Sequence, residues 1–127
     1  MARVAEPVRL SEGSRAFPKA IRLRRSVDYR RVQSRGRRFR TPHLLILSIR
    51  GRAPSSRFGL VVSRKVGNAV TRNRVKRWLR EAIRHERGRL QGRWDLAIIP
   101  SPRAAGSDYQ TLRSELAHAL DHIGRRR

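Results

Sequence analysis

The segment Ser63–Glu81, "SRKVGNAVTRNRVKRWLRE", is crowded with arginine and lysine, carries a single acid at its end, and still has the spacing of a helix. Asn68 is a favourable N-cap, so the spacing predicts a helix from Ala69 to about Arg87, stopping before Gly88. At about 100° per residue, Arg72, Asn73, Lys76, Arg77, Arg80, Arg84 and Arg87 fall within an arc of about 140° that contains no acid. Val75, Trp78, Leu79, Ala82 and Ile83 are expected on the opposing arc, where they would bury against a sheet and hold the cations on a rigid rod. A solvated helix face normally mixes signs. Here neighbours four apart are like-charged, and each such pair costs an isolated helix a few tenths of a kcal/mol. The cationic face begins at the helix N-terminus, where free amides and the macrodipole favour phosphate. The helix therefore reads as a dock for a phosphate backbone.

Upstream, "RFGLVVS" (Arg57–Ser63) and "HLLILSI" (His43–Ile49) are apolar runs of strand length, parted by the turn-forming "RGRAPSS", and they read as an antiparallel hairpin. Alternation puts Phe58, Leu60 and Val62 on one face, bulky enough for a core, and Gly59, Val61 and Ser63 on the other, small enough for a floor. Further upstream, "SVDYRRVQSRG" predicts a short first helix with Ser26 as N-cap and Gly36 as a left-handed terminator; Tyr29 faces inward or into a groove. Downstream, "RWDLAIIP" reads as a strand ended by Pro100 and Pro102. "SDYQ" (Ser107–Gln110) then suggests a capping box for a last helix with Tyr109, Leu112, Leu116, Leu120 and Ile123 on its buried stripe. Helix, strands, helix, strand, helix make an α+β sandwich.

The chain has 127 residues, room for one domain, with Lys plus Arg at 32 against 9 acids and a formal net charge of +23. Such a surface repels itself strongly until a polyanion neutralises it, so the expected partner is a nucleic acid. Hydrophobic residues at 38% gather in short runs, which argues for a folded basic domain and against a disordered tail. Without cysteine there is no disulfide framework and no thiolate metal site. The absence of a signal-peptide core or an apolar run of about 20 residues predicts a chain that stays off the membrane, in the cytoplasm. Residues 1–20 read as a flexible basic arm, 21–123 as the domain and 124–127 as a basic tail.

The stretch "RFGLVVSRKVGNAVTRNRVKRWLRE" resembles the signature of the bacterial ribonuclease P protein subunit, in which a strand ending in Ser-Lys-Lys or similar leads through Val-Gly-x-Ala-Val into an Arg-Asn-Arg helix. Gly67, Ala69, Val70, Arg72, Asn73, Lys76 and Arg77 match without a gap, and "LRRSVDYRRVQSRGRR" and "DLAIIP" resemble the family's first helix and last strand. The resemblance covers about residues 21–123. It implies an α-β-β-β-α-β-α sandwich with a left-handed βαβ crossover, and therefore a further short strand near Arg37–Thr41. It also implies a partner, ribonuclease P RNA, with which the protein removes the 5′ leader of precursor tRNA. The chemistry would belong to the RNA and its Mg²⁺, with no metal on protein side chains and no further protein partner required. Arg64, Lys65, Asn68, Arg72, Asn73, Arg74, Lys76 and Arg77 would face the RNA, with Arg80 and Arg84 extending that face along the helix. A cleft between the first helix and the sheet, lined by Tyr29, Gln33, Leu45, Leu47, Val61 and Ser63, would hold the leader. In that cleft the sequence departs from the family: Gln33 and Leu47 stand where aromatics are common. Pro100 and Ser101 stand where a basic residue is usual, although Arg103 could reach back.

Other readings fit less well. A ribosomal protein would share the charge and a similar fold. A helix-turn-helix regulator needs a partner helix just upstream of the cationic one, where this chain has a strand. An independent nuclease needs converging carboxylates, yet the nearest pair on one helix, Glu81 and Glu86, lies about 140° apart. His118 and His122 are four apart on the last helix but lack an intervening Glu and a third ligand, so they read as surface histidines.

Overall fold

The computed structural model describes residues 19–126. Three helices and a four-stranded sheet follow one another as α1 (Ser26–Arg35), β1 (Arg37–Arg40), β2 (Leu44–Arg50), β3 (Arg57–Leu60), α2 (Ala69–Glu86), β4 (Trp94–Pro100) and α3 (Tyr109–Gly124). The order is α-β-β-β-α-β-α, and the mixed sheet runs β1-β2-β4-β3. Nearly all of the expected arm, residues 1–20, lies outside the described residues. Among the described helices none is long and apolar enough to cross a membrane.

The expected hairpin of β2 with β3 does not form. β4 enters between them, antiparallel to β2 (Leu47 opposite Ala97) and parallel to β3 (Phe58 opposite Leu96). The reason is the apolar run of β4, which is buried along almost its whole length on both faces. A strand of that kind belongs in the middle of a sheet, and a β2–β3 hairpin would leave it at an edge with unpaired backbone. The parallel pairing obliges the chain to cross over between β3 and β4, and α2 is that crossover.

Each face of the sheet now has its own cover. Phe58 and Leu60 of β3, Leu44 and Ile46 of β2 and Leu96 and Ile98 of β4 meet α2 and α3 in the larger core. Val61, Leu47 and Ala97 meet Leu23, Tyr29 and Val32 on the α1 side. In α2, Val75, Leu79, Ala82 and Ile83 are buried, whereas Trp78 is only half-buried. Ile83, expected opposite the cations, lies about 20° from Arg72 on the helical wheel, inside the cationic arc, and its burial turns the inner face toward Arg72 and away from Trp78. The α3 stripe of Leu112, Leu116, Leu120 and Ile123 is buried. His118 and His122 lie against the ring of Phe39, with centroids 5.8 and 4.6 Å away.

Three local expectations need correction. Arg25, in extended conformation and without a side-chain cap, precedes α1, and Ser26 is its first helical residue. Gly36 is extended (φ −67°, ψ 145°), and glycine is needed there because an added Cβ would lie 2.2 Å from the Val32 carbonyl oxygen. For α3 the cap is Asp108, whose carboxylate accepts from the Thr111 amide at 2.8 Å; Ser107 lies outside the helix.

Charge stitches the layers together. Asp95 on β4 is fully buried, accepts two hydrogen bonds from Arg57 of β3 (2.9 and 2.7 Å) and one from Arg31 of α1 (2.5 Å). At the other end, Glu115 of α3 accepts from the His43 amide (2.9 Å) and the Thr41 hydroxyl (2.5 Å), and its second oxygen sits 2.6 Å from His43 Nδ1. Burial pushes the Glu115 carboxyl up, but the hydrogen bonds from Thr41 and His43 outweigh it and hold the group below the usual carboxylate range. A carboxylate lowered on folding contributes stability that is complete above its unfolded pKa and is lost as pH falls through its folded pKa. Glu115→Gln should therefore cost about 1–3 kcal/mol at neutral pH, and the gap from wild type should close as pH drops below about 4. Urea titrations across pH 2–7 measure this, and a gap independent of pH would show that the charge of Glu115 is not what matters.

Gly59 generates a second expectation. A Cβ there would lie 2.3 Å from the Tyr29 hydroxyl and 2.5 Å from two ring carbons, so the tyrosine ring rests directly on the backbone of β3. Gly59→Ala should lose about 1–3 kcal/mol by overpacking, read by denaturation, and Tyr29→Ala in the same chain should recover part of that loss.

Candidate nucleic-acid interface

The approach to α2 is shaped by three backbone devices. Ser63 accepts a hydrogen bond from the Lys65 amide at 3.2 Å and starts a short 3-10 turn, Arg64–Val66, whose only buried side chain is Val66. Gly67 then takes φ 152° and ψ −167°, a conformation that side chains with a Cβ rarely adopt, and a Cβ there would also meet Thr71 at 2.8 Å. Asn68 caps α2, its side-chain oxygen accepting from the Thr71 amide at 2.9 Å. Together they turn the chain out of β3 and aim the helix N-terminus into solvent, with no acid in its first turn.

The cations divide into those that face solvent and those that brace the helix. Arg64, Lys65, Arg77 and Arg84 are exposed, as are the neutral Asn68 and Asn73, while Arg72, Lys76 and Arg80 are half-buried along the edge where α2 meets the core. Burial, with Arg72 and Arg80 adding to it, pushes the Lys76 ammonium down; burial, with Arg77 adding to it, does the same to Arg80. The unbound arc is thus under self-repulsion, which a polyanion relieves. Arg74 points elsewhere: it donates to the Ala105 carbonyl at 3.1 Å and lies 5.3 Å over the Trp78 ring, bracing α2 against the turn that follows β4. Arg84 is bound by Glu81, which also accepts from His85, so its charge is partly spent within the helix.

The acids of the described residues are engaged in structure. Glu86 is held by Arg89 (2.6 Å) and Arg113 (2.9 Å), away from Glu81; Asp28 pairs with Arg25, Asp95 with Arg31 and Arg57, Asp121 with Arg89, and Asp108 caps α3. Among the described residues no three potential metal ligands gather.

This architecture has relatives. The family model described as Ribonuclease P matches residues 17–124. The chain belongs to the ribonuclease P protein family. It is 39% identical over 113 residues to the ribonuclease P protein component of Desulfovibrio desulfuricans, spanning 86% of this chain and 87% of that one. With the component of Mycolicibacterium gilvum it shares 39% over 110 residues, spanning 84% and 89%. The solved RNase P protein of Thermotoga maritima superposes with a TM-score of 0.73 at 31% identity, over 80% of this chain and 96% of that one. For the Staphylococcus aureus protein the values are 0.73, 25%, 84% and 97%. As a ribonuclease P protein component the chain is an accessory subunit in tRNA 5′ maturation, part of an endoribonuclease holoenzyme with ribonuclease P RNA.

On the α1 side of the sheet, the expected cleft residues separate by depth. Tyr29 (3% exposed), Leu47 (4%) and Val61 (0%) are buried, whereas Gln33, Leu45 and Ser63 are half-buried. Burial pushes the Tyr29 hydroxyl up to about 12, with the Leu60 backbone pulling the other way. The structure adds neighbours that the sequence reading missed. Ile99 lies opposite Leu45 and is also half-buried, and on β1 the exposed Arg40 and Arg38 stand opposite Leu45 and Leu47. Directly opposed residues in an antiparallel pair share a face, so these arginines rim the same surface. The alternation in "RRFR" puts Arg38 and Arg40 on one side of Phe39, but only the register reveals what that side borders. Arg103 is exposed in the turn after β4.

Because the exposed cations and the buried stripe sit on different sides of one helix, their effects should separate. Lys65→Ala with Arg77→Ala should weaken binding to ribonuclease P RNA while moving the melting temperature little. Leu79→Ala should cost about 2–5 kcal/mol of stability. Melting curves and RNA titrations on both variants test this, and equal thermal loss in the two would show the faces wrongly assigned.

Proposed function

We propose that α2 docks on ribonuclease P RNA through the face that carries Arg64, Lys65, Asn68, Asn73 and Arg77, with Arg72, Lys76 and Arg80 along its inner edge and Arg84 at its far end. The observation that carries this reading is a cationic helix fixed by its apolar face to the sheet, with its capped N-terminus projecting into solvent. Fixed cations lose little entropy on meeting phosphate, and each phosphate neutralised releases counterions. Arg74, which donates to the Ala105 carbonyl, would add to this face chiefly by bracing α2.

The same reading gives the 5′ leader of precursor tRNA the surface between α1 and the sheet. There the half-buried Gln33, Leu45, Ser63 and Ile99 would meet bases, and Arg38 and Arg40 the backbone. Tyr29, Leu47 and Val61 form the floor beneath them. Cleavage belongs to the RNA with Mg²⁺ that the RNA holds, since the carboxylates of the described residues are committed to ion pairs and caps. The domain of residues 21–123 works in the cytoplasm, flanked by a basic arm and tail, and needs no further protein partner.

Two measurements test the reading. Added to ribonuclease P RNA, the protein should lower the Mg²⁺ needed to cleave precursor tRNA, with an affinity that falls about a thousandfold or more between 50 and 200 mM salt. A flat salt response or an unchanged Mg²⁺ requirement would overturn the docking role. Arg38→Ala with Arg40→Ala should weaken holoenzyme binding to precursor tRNA and spare mature tRNA, while Tyr29→Ala should chiefly lower the melting temperature. If Tyr29→Ala instead discriminates the two ligands and melts normally, the leader reaches the floor of the cleft.

A further inference from the structure

At the end of β3 remote from α2, a cavity of about 360 Å³ opens where residues 20–25, the first turn of α1 and the β2–β3 loop meet. Its wall carries four arginines, Arg22, Arg24, Arg25 and Arg57, against one acid, Asp28; Ala20 and Ala53 leave the space between them. Arg57 is a fixed floor, bound through two nitrogens to the buried Asp95 and through a third to Asp28 at 3.5 Å. The single acid of the wall is already divided between Arg57 and Arg25, which it meets at 3.2 Å. Arg25 nevertheless keeps a side chain 74% exposed, and Arg24 is exposed with no acid pairing it among the described residues. The α1 N-terminus on this wall has no side-chain cap, so its amides add a positive field of the same sign.

Asp28, already shared, does not offset the exposed guanidinium groups of Arg24 and Arg25 on this concave wall, and their planar forks match phosphate geometry. The space is distinct from the α2 dock. β3 (Arg57–Leu60) and residues 61–63 lie between Arg57 and the start of the dock at Arg64, and the four-residue strand alone spans about 10 Å at about 3.3 Å per residue. We propose that this cavity is a second phosphate site, and that it takes a backbone phosphate of RNA at a distance from the phosphates docked on α2. The site itself stands independently of the docking role of α2, whereas its assignment to RNA rests on that role. Two anchors, one before β3 and one after it, would fix the orientation of the protein on its RNA, which a single cationic helix leaves free to pivot.

The experiment uses the full chain and inorganic pyrophosphate as the probe. In two-dimensional NMR titrations the amides of Ser26, Val27 and Ala53 should shift and saturate. Arg24→Gln with Arg25→Gln should weaken that response about tenfold or more, leaving the response of the α2 amides in place. Arg24→Gln alone breaks no ion pair among the described residues and should act in the same direction, so the result stays readable if the double variant unfolds. Arg93→Gln with Arg125→Gln removes the same charge elsewhere and should leave the cavity response unchanged. Equal loss in the cavity and control variants, or no shift at Ser26, Val27 and Ala53, overturns the site. For the RNA source, the salt dependence of assembly with ribonuclease P RNA and of holoenzyme binding to precursor tRNA is compared across the variants. In one of the two, the slope of log K against log salt should flatten by about one in the cavity variant and not in the control. A cavity that binds pyrophosphate while neither slope changes overturns the RNA assignment. Failure of the α2 reading is separable, because it shows as a flat slope in the wild-type chain.

Discussion

The fold depends on the carboxylate of Asp95, fully buried on the central strand and bound by Arg57 of β3 and Arg31 of α1. A chain with a net charge of +23 resists compaction, and one placed negative charge answers this where three elements meet. Removing one partner of such a buried pair costs about 3–5 kcal/mol, because the other partner is left desolvated and alone. Asp28, Glu86 and Glu115 repeat the device nearer the surface, each joining segments distant in the chain or bracing a helix end. Few acids are present, and those of the described residues are committed to ion pairs, hydrogen bonds and a helix cap. What remains outside is almost entirely positive.

That distribution explains how a protein so basic can be rigid. The sheet has an apolar cover on each face, α2 and α3 on one and α1 on the other, so no cation of α2 has to be buried for the helix to be held. The boundary is not free of cost: Lys76 and Arg80, at the edge of the core, are pushed down by burial and by neighbouring arginines. Repulsion stored along that edge is relieved only by an anion, and the helix is therefore better matched to a bound polyanion than to water.

The α1 face follows a different logic. Tyr29 packs closely against Gly59, and Leu47 and Val61 complete a buried floor, so the rim is set by Gln33, Leu45, Ile99 and the arginines of β1. With Gln33 and Leu47 at positions where no aromatic side chain stands, this surface offers hydrogen bonds and charge more than stacking.

The sequence by itself determined what lies within a few residues along the chain. Asn68 as cap, the span of α2, the acid-free arc and the α3 stripe all follow from side-chain spacing at helical period, and the alternation of Phe58, Leu60 and Val62 follows from the pleat of a strand. The short strand Arg37–Arg40 was legible only through family resemblance, since "RRFR" carries one apolar residue. Tertiary structure decided the rest. That β4 separates β2 from β3, that Glu86 meets Arg113, and that Arg38 and Arg40 border Leu47 and Leu45 are consequences of which surfaces meet. Helical period and capping are set by bonds three or four residues apart. Strand order and buried ion pairs are set by partners tens of residues away, whose pairing is chosen by the burial of the whole sheet and leaves no local trace in either segment.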